Sequence, residues 1–135
     1  MAHDLKSLAE LALSAATKAG AASADVLAVA GDSLSIEVRQ GQLEHAERAE
    51  GVDLGLRVLI GKRQACVSIS DMRPEAIEQA AARAVAMARL APEDPFIGLA
   101  EVDQLASLRD ATALDLDDGT AAPAPADLQD IACRA

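Results

Sequence analysis

Histidine and cysteine are the residue types of this chain that most readily ligate metals or attack a substrate, and each occurs only twice. His3 and His45 are far apart, and so are Cys66 and Cys133. A structural zinc site needs several such ligands at short spacings, and an activated thiol needs a neighbouring base. The sequence offers neither arrangement, so we predict no catalytic residue, metal ligand or cofactor in this chain.

His45 and Cys66 each have a functional interpretation and a plainer one. His45 stands between Glu44 and Glu47, where it could titrate near neutral pH or ligate an ion. Because no second ligand is near it in the sequence, we expect an exposed strand histidine. Cys66 could be a reactive thiol, but no histidine adjoins it, so we expect a small, partly buried structural cysteine.

Four charged residues at polar positions of predicted strands are our candidates for contact with a peptide or a partner protein: Glu37, Arg39, Arg57 and Arg63. Side chains on one face of neighbouring strands are close enough together to hold an extended ligand. The alternative is that they form ion pairs with one another across a solvated face.

The stretch from residue 33 to residue 70 carries these side chains and alternates apolar and polar residues, with glycines at Gly41, Gly51 and Gly61. This period of two predicts strands, and the glycines predict the turns between them. With the apolar run DVLAVA at 25–30 before it, the pattern predicts strands at 25–30, 33–40, 43–50, 52–60 and 63–70. Gly55, inside a strand, predicts a bulge or a close backbone approach.

Two amphipathic helices flank the predicted strands. The first runs over residues 4–19, with Asp4 as its cap and Gly20 as its stop. The second starts near Pro74 and carries apolar residues at helical spacing from Ile77 to Ala88. We therefore predict an α+β fold in which an antiparallel sheet of about four to five strands has the two helices packed on one face.

The segment after the second helix is the least regular part of the chain. We expect Phe96 to dock into a hydrophobic spot, residues 111–118 to form an acidic loop or edge strand, and residues 126–135 to open a third helix. This predicts an N-terminal domain over 1–110. Residues 111–135 would be an acidic linker and the start of a helix leading into a further, C-terminal domain.

Charge and composition exclude several function classes. The net charge is −10, and residues 101–135 alone hold eight acidic and two basic side chains. Such a chain repels phosphate, and with aromatic residues at 1% it lacks stacking surfaces, so direct nucleic-acid binding is not expected. The sequence shows neither an apolar stretch long enough for a membrane span nor a secretory leader. Its two cysteines are isolated rather than paired, which fits the reducing cytoplasm.

Several segments resemble the N-terminal domain of the TldD/PmbA family, often labelled "modulator of DNA gyrase", and most closely its PmbA (TldE) branch. They are VRQGQLEHAERAEG, LGLRVLIGKRQACVSISDM, PEAIEQAAARAVAMARLAPEDPFIGLA and, more weakly, ALDLDD. Together they cover about half of the chain, in order, and RAVAMARLAPEDPFIGLA is the most specific of them.

The resemblance implies a subunit of a cytoplasmic, zinc-dependent peptidase complex that processes or degrades peptides. In that family the TldD-like partner holds zinc on an HExxxH helix, where a glutamate can act as base on metal-bound water. This sequence has no HExxxH motif. The resemblance therefore implies a non-catalytic PmbA-like subunit whose partners are a TldD-like metallopeptidase subunit and peptide substrates. The alternative is an acidic interaction module that modulates DNA gyrase or another partner without peptidase activity.

Overall fold

The structure, a computed structural model, describes residues 4–108 and 110–135. Its regular elements are, in chain order, α1 (Leu5–Ala19), β1 (Ser23–Arg39), β2 (Gln42–Ile60), β3 (Arg63–Ile69), α2 (Pro74–Leu90) and α3 (Pro125–Arg134). Two short 3₁₀ turns lie between α2 and α3, at Val102–Gln104 and Thr112–Leu114. The three strands form one sheet in the order β1-β2-β3.

The α+β class and the antiparallel sheet are confirmed, but the predicted number of strands was wrong, because the sheet has three strands rather than four to five. The two flanking helices are present as α1 and α2, and the third helix, expected to open over residues 126–135, is α3. Gly31 and Gly51 explain the smaller number of strands, because neither has the positive φ typical of tight hairpin turns, and each continues its strand. The two turns of the sheet lie where they were predicted, at Gln40-Gly41, with φ of 51° and 74°, and at Gly61, with φ of 60°.

Both flanking helices begin where their sequences predict, and α1 also ends at its predicted stop. The Asp4 carboxylate accepts a hydrogen bond from the backbone N–H of Lys6 at 3.2 Å, which caps α1. Gly20 follows α1 with φ of 103°, and its N–H bonds the carbonyls of the last turn. Pro74 is the first residue of α2, where its missing N–H costs no helical hydrogen bond.

The described residues divide into two compact units. The packed unit comprises residues up to Gly31 and Gly51–Ala100, and the exposed unit comprises Asp32–Glu50 and Glu101–Ala135. The predicted boundary between an N-terminal domain and a linker, near residue 110, does not correspond to the boundary between these two units. That boundary stays a prediction. No helix within the described ranges combines the length and the apolar character needed to cross a bilayer.

The packed unit is built on an aliphatic core between the helices and one face of the sheet. α1 packs against α2, and α2 against β3. Alanines line both helices and permit close approach, while larger side chains fill the sheet side. The buried members are Ala12, Ala15 and Ala16 of α1, Leu54, Leu56 and Val58 of β2, Val67 and Ile69 of β3, and Ile77, Ala80, Ala81, Ala84, Val85 and Ala88 of α2.

Candidate functional site

The face of the sheet that turns away from the helices carries a shallow depression within the packed unit. Its volume is about 300 Å³. Alternation along the strands puts Leu54, Leu56 and Val58 into the core, so the residues between them point to the opposite side. The lining residues come from all three strands: Asp25, Val26, Leu27, Gly55, Leu56, Arg57 and Cys66.

Gly55 leaves the space at the floor of this depression. β2 and β3 pair without interruption, with Gly55 opposite Ser68 and Leu56 opposite Val67. The predicted bulge is therefore absent from this pairing. A Cβ added at Gly55 would lie 3.9 Å from the carbonyl oxygen of Leu27, an ordinary contact, so the backbones are not unusually close. Because glycine has no side chain, the space above residue 55 stays open as part of the depression. The glycine is not needed to let the backbones of β1 and β2 come close together.

Arg57 and Asp25 form a two-pronged ion pair at the wall of the depression. Arg57 Nε donates to Asp25 Oδ1 at 2.9 Å, and Arg57 Nη2 donates to Asp25 Oδ2. Arg57 Nη1 lies 3.5 Å from Gln64 Oε1 on β3. Donating hydrogen bonds to the Asp25 carboxylate raises the pKa of Arg57 above its usual value, although partial burial opposes the shift. The pair joins two strands and fixes the position of the guanidinium group.

Arg63 lies on the helix-facing side of the sheet, where it binds the C-terminal end of α2. It stands opposite Ile60 in the register, so it shares the helix-facing side with Val67 and Ile69 and does not share the polar positions of Arg57. Its Nη1 donates to the carbonyl oxygens of Arg89 and Ala91, each at 3.1 Å. These carbonyls end α2, where a cation is favourable, so Arg63 caps the helix C-terminus.

Glu37 and Arg39 belong to the exposed unit, whereas Arg57 and Arg63 belong to the packed unit. Arg39 Nη1 donates to Glu44 Oε1 at 3.2 Å across the β1–β2 turn, and Glu37 is exposed on β1. Within the packed unit, Arg57 and Arg63 lie on opposite faces of the sheet and so do not form one cluster. The role of the four charged candidates in contacting a peptide or partner stays a prediction.

The histidines and cysteines have simple surroundings. His45 is exposed, as predicted, with Nε2 3.5 Å from Glu47 Oε2. Cys66 and Cys133 are free and exposed, so the expectation of a partly buried Cys66 was wrong. Cys133 Sγ lies 3.7 Å from the carbonyl oxygen of Gly41. Across residues 4–108 and 110–135, no three His, Cys, Asp or Glu side chains gather as metal ligands would, and His3 lies outside those ranges.

Asp25 is the site residue that the sequence analysis missed. The run DVLAVA was interpreted only as an apolar strand, yet Asp25 is its single charged residue. Ala24, Val26 and Ala28 pack toward the core, which directs Asp25 and Leu27 to the free face beside Arg57. The alternation of side chains between the two faces of this strand was the signal that could have placed Asp25 on the same face as Arg57.

The comparisons with known proteins agree on one family. Residues 24–88 match the family described as PmbA/TldA metallopeptidase domain 1. The chain is 32% identical over 124 residues to a "Metalloprotease PmbA homolog" of Haemophilus influenzae, covering 87% of this chain and 27% of that protein. It is 34% identical over 83 residues to "Metalloprotease PmbA" of Escherichia coli O157:H7, covering 62% of this chain and 18% of that protein. The chain thus spans about a quarter or less of these relatives.

Two solved structures share the fold. One is a candidate modulator of DNA gyrase from Bacteroides thetaiotaomicron, with a TM-score of 0.72 and 22% identity, covering 82% of this chain and 25% of that one. The other is TldE from Thermococcus kodakarensis, with a TM-score of 0.62 and 19% identity, covering 70% of this chain and 21% of that one. At these identities the likeness is one of fold.

Proposed function

This chain belongs to the TldD/PmbA family, and we propose that it serves as the first domain of a non-catalytic, PmbA-like subunit in a cytoplasmic, zinc-dependent peptidase complex. In this proposal a TldD-like subunit holds the zinc, and this chain helps to present peptide substrates. Two relatives over 30% identical that bear the name metalloprotease PmbA support the PmbA-like assignment.

The free edge of β1 carries the proposal for peptide handling. β1 has β2 on one side only in the described sheet. Its core-facing residues Ala24, Val26 and Ala28 are only half-buried, whereas Leu54 and Leu56 on β2 are 0% and 1% exposed. An added strand would cover this apolar edge, because backbone hydrogen bonds can attach an extended peptide whatever its sequence.

The depression beside that edge would then receive a side chain of the peptide. Leu27 and Gly55 give it an apolar floor, and the paired Arg57 and Asp25 form its polar wall. In strand addition, backbone pairing supplies affinity and adjacent pockets supply selectivity. A small or medium-sized apolar side chain fits the volume of about 300 Å³.

A pair of proline substitutions, Ala28→Pro and Val29→Pro, tests the edge. Along a strand, successive backbone N–H groups point to opposite edges, so one variant loses an N–H that faces β2 and the other loses an N–H that faces the free edge. We expect the variant that loses the free-edge N–H to keep its melting temperature and to lower peptide cleavage by the complete complex. Unchanged cleavage in that variant, once it is shown to be folded, contradicts the proposal. A serine substitution at the same position is the control that retains the N–H.

Complex membership is tested by isolating the protein from its host and identifying what accompanies it, together with a zinc assay. A stoichiometric partner that carries HExxxH and the zinc supports the proposed role. Zinc bound to this protein by itself contradicts the non-catalytic assignment. DNA gyrase as the stoichiometric partner, without zinc, supports the acidic interaction module instead.

A further inference from the structure

Gly55 is the one glycine within Leu54–Ile60, the part of β2 that pairs with β3. Its neighbours Leu54 and Leu56 are 0% and 1% exposed, so it lies directly beside the core of the packed unit. Glycine weakens the interior of a strand, because it loses more conformational freedom on folding than other residues and has no side chain to pack. A glycine at this position therefore lowers stability.

The backbone does not require glycine at residue 55. Its φ is not in the positive range that favours glycine, unlike the φ of Gly41 and Gly61 in the turns. Its pairing with Ser68 continues the register of β2 and β3 without interruption. A Cβ at this residue would lie 3.9 Å from the carbonyl oxygen of Leu27, which is an ordinary contact. Alanine would therefore fit without strain, and what glycine provides here is the open space above it.

The surroundings of that space favour a neutral side chain. Leu27, which is 69% exposed, and the exposed Cys66 offer apolar surface beside Gly55. Among the described residues that line the depression, Arg57 and Asp25 are the charged ones, and they are bonded to each other. A charged side chain would lose hydration on entering without gaining a free partner of opposite charge. An aliphatic side chain would cover the exposed leucine and leave the ion pair intact.

We propose that Gly55 is a specificity-determining residue that sets the size of the peptide side chain that the depression accepts. This inference rests on the proposed function, which places an extended peptide along the edge of β1. The preferred substrates are peptides with a neutral aliphatic residue, such as valine or leucine, at the position that lies over Gly55. Each carbon atom added at residue 55 takes space from that side chain, so a larger residue 55 shifts the preference to smaller peptide residues.

The experiment measures peptide cleavage by the complete complex on an alanine-rich host peptide in which leucine is placed at each position in turn. With wild type we expect leucine to raise kcat/KM over alanine at one position. Gly55→Ala should reduce this preference by about fourfold, the value of one buried CH₂ group. Gly55→Val should reduce it by at least about tenfold, as pockets that discriminate by size do. Glutamate or lysine at the same peptide position should be cleaved no better than alanine.

Gly51→Ala and Gly51→Val are the matched controls. Gly51 also lies in β2 without a positive φ, and a Cβ there would meet open space, but Gly51 does not line the depression. Both controls should leave the preference for leucine unchanged. Gly55→Ala should melt at or above the temperature of wild type, because alanine loses less freedom on folding. A clearly lower melting temperature would show that the backbone needs glycine at residue 55 and would overturn the inference.

The outcomes separate this inference from the proposed function. If the complex cleaves none of the peptides, or cleaves them equally well without this protein, both are overturned. If cleavage requires this protein but wild type shows no preference for leucine, or the Gly55 variants keep it, the inference alone is overturned. An equal loss of preference in the Gly51 controls also overturns it, because the effect is then not local. If Gly55→Val does not fold, Gly55→Ala decides the question by the same measurement.

Discussion

The packed unit and the exposed unit are made from similar residues but use them differently. Every buried residue of the described chain lies in the packed unit, where the alanines of α1 and α2 meet and Leu54, Leu56 and Ile77 are 0–1% exposed. The exposed unit holds leucines and valines as well, yet leaves most of its leucines exposed to solvent. Apolar content therefore does not by itself make a core. A core requires elements that close on one another, as the two helices and the sheet do in the packed unit.

The largest difference between the two units should appear on truncating a leucine. Leu54→Ala, at a position 0% exposed, is expected to lower the free energy of unfolding by about 2–5 kcal/mol because it leaves a cavity. Leu105→Ala in the exposed unit, at a position 57% exposed, should change it by less than about 0.5 kcal/mol. Urea denaturation followed by far-UV circular dichroism measures both. Equal losses would mean that Leu105 belongs to the same cooperative core.

Enlarging an alanine at the helix seam should have the next largest effect. Ala84→Leu forces new methyl groups into the contact between α2 and its neighbours and should cost about 1–3 kcal/mol. Ala86→Leu, at an exposed position on the same helix, is the matched control and should be close to neutral. Thermal melting distinguishes them, and an unaffected Ala84→Leu would mean that the two helices are less closely packed than the structure indicates.

The ion pair at the depression should contribute a smaller amount. Asp25→Asn and Arg57→Gln remove its two halves, and the coupling energy from a double-mutant cycle should be about 0.5–1 kcal/mol, because both side chains are partly exposed. The exposed pair Arg39–Glu44 is the comparison, with coupling near the lower end of the range for surface pairs, about 0.2 kcal/mol. A coupling at Arg39–Glu44 that equals or exceeds the one at Arg57–Asp25 would show that partial burial adds nothing.

The smallest predicted effect is one on acid stability. Hydrogen bonds from Arg73 lower the pKa of Asp71 from 3.8 to about 2. A carboxylate with a lowered pKa in the folded state adds stability that is complete above pH 3.8 and is lost as the pH falls toward 2.

Because Asp71→Asn loses this contribution, its free energy of unfolding should be lower than that of wild type at neutral pH, and the difference should shrink as the pH falls toward 2. Denaturation curves measured between neutral pH and pH 2 test this prediction. In the exposed unit, hydrogen bonds from Thr112 also lower the pKa of Asp110, but Asp110→Asn should not change the unfolding curve of the packed unit at any pH. A difference between Asp71→Asn and wild type that persists unchanged at pH 2 would show that the Asp71 charge is not the cause.

Local signals predicted the helices and turns well. Asp4, Gly20 and Pro74 act within one turn of the helix ends they define, so their effect could be inferred without the rest of the fold. Gly41 and Gly61 occupy turns as predicted. The strand count failed because glycine permits positive φ without requiring it, and only pairing with a neighbouring strand decides that Gly31 and Gly51 remain extended.

The site was less predictable because it depends on which residues meet across the sheet. Arg57 was chosen correctly as a residue of the free face, but its partner Asp25 lies in a distant part of the sequence. Arg63 was assigned to the same polar set, although alternation through Ala65 and Val67 directs it to the helices. Phe96 was expected to dock and is 93% exposed, since no local pattern tells whether a matching hydrophobic surface exists.

The positions of the two thiols make it possible to observe each unit separately. Cys66 is exposed at the depression in the packed unit, and Cys133 is exposed on α3 in the exposed unit. Because the chain has only these two cysteines, a single Cys→Ser replacement leaves one attachment point for a fluorophore in a chosen unit. Anisotropy decay of each label would then report the local tumbling of that unit. A polarity-sensitive dye on Cys66 would also test the proposed peptide site, because entry of a side chain into the depression would shift its emission wavelength.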